Sequence, residues 1–326
     1  MSLKILSKDD IFTEKPEWRE PGRSDYLAMY SSVFDGVVTD PALMVIPIDD
    51  HIINRGDGIF EYFPVHEGYA YCFEAHMTRL QRSAEIISLD LPFDIDTIRK
   101  ISLETVAISG AKACGVRIFI SRGMGDFLCD PTTPKKPLMY VIVLKENPLP
   151  TTPPAGVTAI TTHVPLKPDF YAQVKTTCYL LNALVELEAH RNHVRYGVWF
   201  DNEGHLAESS IDSAAIVSKD NVFMYPRFEH ILKGTGLVRM AQLAKELVKT
   251  GELAGICQGD ITRQDVYEAS EIYILGSGDI LPVIKFDGRT VGDGKPGPIG
   301  RRLWELATKD RLEGPPEVRT PIPYKK

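Results

Sequence analysis

The sequence predicts an α+β protein of two domains, and three observations predict it. The chain has 326 residues, more than one small core usually serves. Strand-like and helix-like runs mix in both halves without the strict alternation of a doubly wound parallel sheet. Residues 145–156, KENPLPTTPPAG, hold four prolines, which remove backbone donors and favour an extended connector. The boundary falls there, dividing the chain into residues 1–148 and 149–326.

Each element follows from its pattern. Before the connector, 44–50 (MVIPIDD), 68–73 (GYAYCF), 117–121 (RIFIS) and 138–144 (LMYVIVL) read as strands. The segment GDGIFEYFPV reads as another, so that Phe60, Tyr62 and Pro64 share one face. Residues 76–89 read as an amphipathic helix with Met77, Leu80, Ala84 and Ile87 on one side. After the connector, 157–162, 196–200, 214–218, 222–225 and 271–275 read as short buried strands. Residues 177–191 and 237–249 read as helices with apolar stripes.

Composition narrows the function classes. A formal net charge of −7 argues against nucleic acid or an anionic membrane as the main partner. No run of eighteen or more apolar residues is present, as a membrane span requires. The N-terminal stretch MSLKILSKDDIFTEKPEWREPGRSDY lacks the apolar centre of a secretion signal. Five scattered cysteines without a CxxC pair suit reduced thiols, so the cytoplasm is the expected compartment.

The chemistry centres on two residues. Lys175 precedes a long apolar helix, and Glu208 follows 33 positions later in HLAESS. An amine and an acid in this setting suit a pyridoxal phosphate enzyme. The amine condenses with the cofactor aldehyde, and the acid keeps the pyridine nitrogen protonated. Taken singly, a lysine is usually solvated and an acid beside serines is usually a cap; the ordered pair carries more.

A phosphate also needs a seat. In HILKGTGLVRM the N–H groups of Thr235 and Gly236 open a helix, where free donors and the dipole favour an anion. The tripeptide Gly276-Ser277-Gly278 after a strand is a second candidate, and Arg79 a charged third. His190 and His193 resemble a metal pair but suit a helix C-terminus. Walker A and GxSxG patterns are absent, and no GxGxxG is read as opening a helix.

In order, GDGIFEYF, HMTRLQRSA, VKTTCYLLNALVELEA, LAESS, LKGTG and PVIKFDGRTVGDGKPGP resemble the fold-type IV pyridoxal phosphate enzymes. That family includes branched-chain aminotransferases, D-amino acid transaminases and aminodeoxychorismate lyases. YLAMYSSVFDGVVTDPALMVIPIDDH, LGSGDILPV and GPPEVRTPIPY look most similar to the plant-type D-amino acid transaminase branch. The resemblance implies a small N-terminal α/β domain, a larger C-terminal pseudo-barrel domain and a homodimer. It implies pyridoxal 5′-phosphate as cofactor and amino acids and 2-oxo acids as substrates.

By position, the resemblance makes Lys175 the Schiff-base lysine and Glu208 the partner of the ring nitrogen. It makes Arg79, Thr235 and Gly236 phosphate contacts, and Ser277 a contact to the phosphate or to the substrate carboxylate. Tyr179 faces the phenolic oxygen and Leu232 the ring. Phe60, Tyr62, Arg122 and Gly278 line the substrate side. Lys233, Gly236 and Ser213 stand where the family often has proline, threonine and asparagine. The expected reaction is transamination of D-amino acids. Lyase, (R)-amine and branched-chain reactions are alternatives, as is a non-catalytic relative that only binds the cofactor.

Overall fold

The computed structural model describes residues 23–325. Most of the N-terminal stretch read for a secretion signal, residues 1–22, lies outside them. The first part of the chain forms strands β1 (Tyr26–Ser31), β2 (Gly36–Val38), β3 (Gly58–His66), β4 (Tyr69–Tyr71), β5 (Cys114–Ser121) and β6 (Leu138–Lys145). Helices α1 (His51–Arg55), α2 (Phe73–Ile86) and α3 (Ile95–Ser109) lie between them. After residues 146–156 come β7 (Val157–Thr161), α4 (Asp169–Ala172), α5 (Leu180–Arg191), β8 (Tyr196–Phe200), β9 (Leu206–Ser209), β10 (Ser213–Val217) and β11 (Val222–Tyr225). The rest holds α6 (Thr235–Lys249), β12 (Gly255–Gln258), α7 (Arg263–Glu268), β13 (Glu271–Leu275), β14 (Ile280–Phe286), β15 (Arg289–Thr290), α8 (Pro298–Glu313) and β16 (Arg319–Pro321).

The first sheet is antiparallel, in the order β16-β4-β3-β5-β6-β1-β2. Its strands alternate as a one-faced sheet must. Ile59, Phe63 and Val65 of β3 and Val116, Ile118 and Ile120 of β5 pack with Met77, Leu80 and Ala84 of α2 and Ile98 and Val106 of α3. The opposite face of β3 carries Phe60, Tyr62 and Pro64 toward the second sheet. The C-terminal tail returns through β16 to pair with β4.

The second sheet closes on itself. The run β10-β13-β14-β7-β8-β9 returns to β10 through the Ser213–Glu208 pair, a six-stranded pseudo-barrel. Alternate residues divide between two cores. Ala214, Ile216, Ile272 and Ile274 pack with Phe200 and Phe286. Ala215, Val217, Tyr273 and Leu275 pack with Leu237, Met240 and Ala244 of α6 and Leu303 and Ala307 of α8.

The strand expected at 44–50 is absent. That segment is irregular and ends in Asp50, whose Oδ1 accepts from Ile52 N–H and caps α1. Pro47 withholds a donor there, and Ile48 is 70% exposed, so the apolar letters mark surface rather than sheet. Among the elements that went unread are β1, α3 and α8. The caps of α3 are plain, since Asp94 accepts from Thr97 N–H at 2.8 Å and Gly110 ends the helix at φ 72°. Among the described residues no helix is long and apolar enough to cross a membrane.

Candidate active site

The stretch before α5 is tied to β3 as a short extra strand. Phe60 N–H donates to the Lys175 carbonyl at 2.9 Å, and Thr177 N–H donates to the Gly58 carbonyl at 2.9 Å. Lys175 N–H in turn donates to Ser83 Oγ on α2 at 3.2 Å. The backbone of Lys175 is therefore fixed from two elements, and its side chain is buried between the two sheets. Nζ lies 3.4 Å from Tyr179 Oη and 4.5 Å from the centre of the Phe60 ring. Burial, and then the nearby Arg79 guanidinium, push the amine down to about 8.

Glu208 is held where the barrel closes, opposite Ser213. Its Oε2 accepts from Leu232 N–H at 3.2 Å, which fixes the loop entering α6. Its Oε1 lies 3.0 Å from Lys167 Nζ, and both side chains are about nine-tenths buried.

That loop ends in Gly234, the N-cap of α6, so Thr235 and Gly236 start the helix with N–H groups that have no intrahelical acceptor. A Cβ on Gly236 would lie 1.6 Å from the Gly276 carbonyl oxygen. Only glycine lets the two backbone segments, 234–236 and 276–278, meet. Gly278 sits at φ +98°, with Tyr71 and Arg311 against it.

Arg79 is anchored from behind. Its Nε and Nη2 donate to the two oxygens of Glu61, each at 2.7 Å, a bidentate pair. Nη1 keeps only a long bond of 3.4 Å to the Lys233 carbonyl. Glu61 is fully buried; burial would raise its carboxyl, but Arg79 overrides this and holds it at about 2. With Glu61 ionised, His76 Nδ1, 2.8 Å from it, must donate. His76 Nε2 then accepts from the Thr235 hydroxyl, 3.4 Å away.

One cleft is lined by Arg79, Lys175, Glu208, Leu232, Thr235, Gly236 and Ser277, together with Asp212 and Ser213. Residues spread over about two hundred positions thus meet at one place. Phe60 and Tyr179 border it, their rings edge to face at 5.1 Å. Tyr62 points along the same face of β3 and donates to Glu146. Arg122 is placed otherwise. Its Nε donates to Asp57 at 2.7 Å, and Nη1 and Nη2 donate to the carbonyls of Ser88 and Ile87 at the end of α2. Those donors serve the helix side of the sheet.

Sequence reasoning missed Lys167, Asp212, Glu61 and His76. Burial pushes Asp212 up to about 6, against the pull of Lys175. Glu61 had a signal, an acid at an inward position of an alternating strand. Lys167, in PLKPDF, had none.

Three groups of residues define what the cleft can hold. A buried amine, a buried carboxylate beyond it, and an anion seat built from a helix start, a glycine loop and an arginine fit a flat cationic heterocycle bearing an aldehyde and a phosphate. The comparisons agree. The model of the class IV amino-transferase family matches residues 58–286. The chain is 40% identical over 305 residues to the chloroplastic D-amino-acid transaminase of Arabidopsis thaliana, covering 93% of this chain and 81% of that protein. The branched-chain aminotransferase of the thermophilic archaeon Thermoproteus uzoniensis, solved with norvaline, superposes with a TM-score of 0.80 at 23% identity, over 91% of this chain and 99% of that one. A T.th. branched-chain amino acid aminotransferase complexed with N-(5′-phosphopyridoxyl)-L-glutamate superposes with a TM-score of 0.82 at 21% identity, over 91% of this chain and 99% of that one. The pseudo-barrel, the cleft and the family match agree: this chain belongs to the class IV aminotransferases, transaminases that use pyridoxal 5′-phosphate.

Proposed function

We propose that the enzyme moves amino groups between D-amino acids and 2-oxo acids, with Lys175 as its catalytic residue. The observation that carries this reading is the single cleft shared by Lys175, Glu208 and the anion seat. Its likeness to the Arabidopsis D-amino-acid transaminase supports the substrate class. Pyridoxal 5′-phosphate, when bound, supplies an electrophilic carbonyl and a ring that accepts an electron pair. Arg79, the N–H groups of Thr235 and Gly236, and Ser277 would hold the phosphate. Tyr179 would donate to the phenolic oxygen, and Leu232 would pack on the ring.

The protein residues divide the proton work. Glu208, paired with Lys167, would hold a proton on the ring nitrogen. Lys175, with its amine lowered to about 8, takes the proton from the substrate Cα and returns it to C4′ of the cofactor. The Phe60 and Tyr179 rings keep water from that path. The amine's fixed backbone confines transfer to one face, so the hand of the substrate is set by which side of the cleft takes its carboxylate.

A homodimer is part of the proposal. Leu180, Leu184 and Leu187 lie along one side of α5 and are exposed, Leu180 by 73%. Phe127 and Leu128 are exposed too. A second copy would cover such a patch. The free cysteines support a reducing compartment, proposed as the cytoplasm.

A half-reaction panel tests the reading. D-alanine, D-glutamate, L-leucine, (R)-1-phenylethylamine and aminodeoxychorismate are each mixed with the coloured holoenzyme. Rapid loss of the visible band with D-amino acids is expected, and loss with L-leucine alone would refute the substrate class. Borohydride reduction followed by peptide mass analysis should place the pyridoxyl group on Lys175. A protein that takes up the cofactor but loses no colour with any member of the panel would return the reading to a non-catalytic relative.

A further inference from the structure

The face of β3 that carries Phe60 leads outward to a second cavity. Tyr62 projects from the same face two residues on, about 7 Å further along the strand. The cavity there is lined by Tyr62, His66, Glu146, Ser277, Asp279 and Arg311, among others. Ser277 also lines the cofactor cleft, so the two spaces share a wall.

The polar groups of this cavity are unevenly matched. Glu146 enters from the connector between the sheets, and its Oε1 accepts from the Tyr62 hydroxyl. Gly115 makes room for the pair, since a Cβ there would lie 2.3 Å from Glu146 Oε1 and 2.9 Å from the Tyr62 ring. Glu146 Oε2 has no hydrogen-bond partner among the described residues. His66 is 8% exposed, and its buried Nε2 has no partner among them either. The one cation in the described lining is committed elsewhere. Arg311, 2% exposed, donates to Asp279 at 2.7 Å, to the Ala307 carbonyl and to Thr308 Oγ1. Arg117 stacks 5.7 Å from the Tyr62 ring centre without lining the cavity. The space therefore offers a carboxylate oxygen whose lining holds no uncommitted cation among the described residues, Arg117 acting on Glu146 only from outside it.

We infer that this cavity receives the substrate side chain, and that Glu146, oriented by Tyr62, selects side chains ending in a hydrogen-bond donor over those ending in a carboxylate. Amides, hydroxyls and ammonium groups are the donors meant. The inference rests on the transaminase reading above and names the substrate class within it. Glu146 is half-buried, and a site that pairs a substrate donor with a partly desolvated acceptor disfavours the analogue lacking that donor, because its own group is then left unpaired.

D-glutamine and D-glutamate, nearly equal in shape, provide the test. Half-reaction rate constants are measured for both over a range of concentration with the holoenzyme. The wild type should favour D-glutamine at least about tenfold, and Glu146→Gln should bring the ratio within about threefold. Tyr62→Phe frees the second carboxylate oxygen and should preserve or widen the preference. Equal or faster reaction with D-glutamate in the wild type would overturn the inference, with no need of a variant. So would an unchanged ratio in Glu146→Gln that still binds the coloured cofactor. Failure of every D-amino acid to discharge the colour would strike the transaminase reading itself.

Discussion

Lys167 and Glu208 form a buried ion pair, 3.0 Å from Nζ to Oε1, and Glu208 lines the same cleft as Lys175. The pair sets an opposite charge beside the carboxylate proposed to face the ring nitrogen. Removing one member of a buried pair leaves an uncompensated charge and typically costs about 3–5 kcal/mol. Lys167→Met should therefore melt lower than the wild type without cofactor. Holoenzyme of the variant should show a shifted visible band and an altered pH titration of that band, while Lys167→Arg restores both. A band and titration indistinguishable from wild type would remove Lys167 from the site's electrostatics.

The lowered amine of Lys175 has a consequence for stability. Its ordinary value is 10.5 and its folded value about 8. Between these limits the unfolded chain holds the proton and the folded chain does not, so folding gains stability as pH rises through this window. Below about pH 8 the buried amine costs the cofactor-free protein on the order of 3 kcal/mol. Cofactor-free Lys175→Met should thus melt above the wild type at pH 7, with the gap narrowing by pH 10. Thermal scans at the two values decide it; a variant less stable at both would show the amine to be well solvated.

Glu61 behaves with the opposite sign. Burial would raise it, but Arg79 holds it at about 2, below its usual 4.5. Its contribution is present above pH 4.5 and is lost as pH falls toward 2. Glu61→Gln leaves the Arg79 guanidinium unpaired and should cost about 3–5 kcal/mol in urea unfolding at pH 7. Because Arg79 is then free to turn, cofactor affinity should fall as well. The stability difference from wild type should shrink below pH 4. A difference that persists at pH 2 would point to packing rather than charge.

Much of this site was legible in the sequence because its parts are tied to local patterns. The alternation of β3 put Phe60 and Tyr62 on one face, and the glycines around Thr235 marked a helix start. The supporting residues were harder to read. Lys167 reaches Glu208 across a loop and a strand, and nothing in PLKPDF distinguishes it from a surface lysine. The resemblance sets Arg122 on the substrate side, yet parity along β5 turns it toward the end of α2 and the Asp57 carboxylate. The strand expected at 44–50 failed on Pro47 and on side chains that face solvent. The closing of the barrel by Glu208 and Ser213 depends on long-range pairing, which periodicity within one segment cannot reveal.

Gly236 gives the sharpest test of the phosphate seat. A Cβ there would lie 1.6 Å from the Gly276 carbonyl oxygen and 2.7 Å from its carbon. Both atoms are backbone, so relief requires the helix start and the 276–278 loop to separate. The N–H groups of Thr235 and Gly236 would then move away from Ser277, and an anion held by both sides would lose one of them. Gly236→Ala should raise the dissociation constant for pyridoxal 5′-phosphate at least about tenfold, a loss of about 1.4 kcal/mol. Titration of cofactor-free protein by absorbance reads this directly. Gly255→Ala, where an added Cβ meets nothing within 4 Å, serves as the control and should bind like the wild type. Wild-type affinity in Gly236→Ala would mean that the phosphate is held somewhere other than between these two loops.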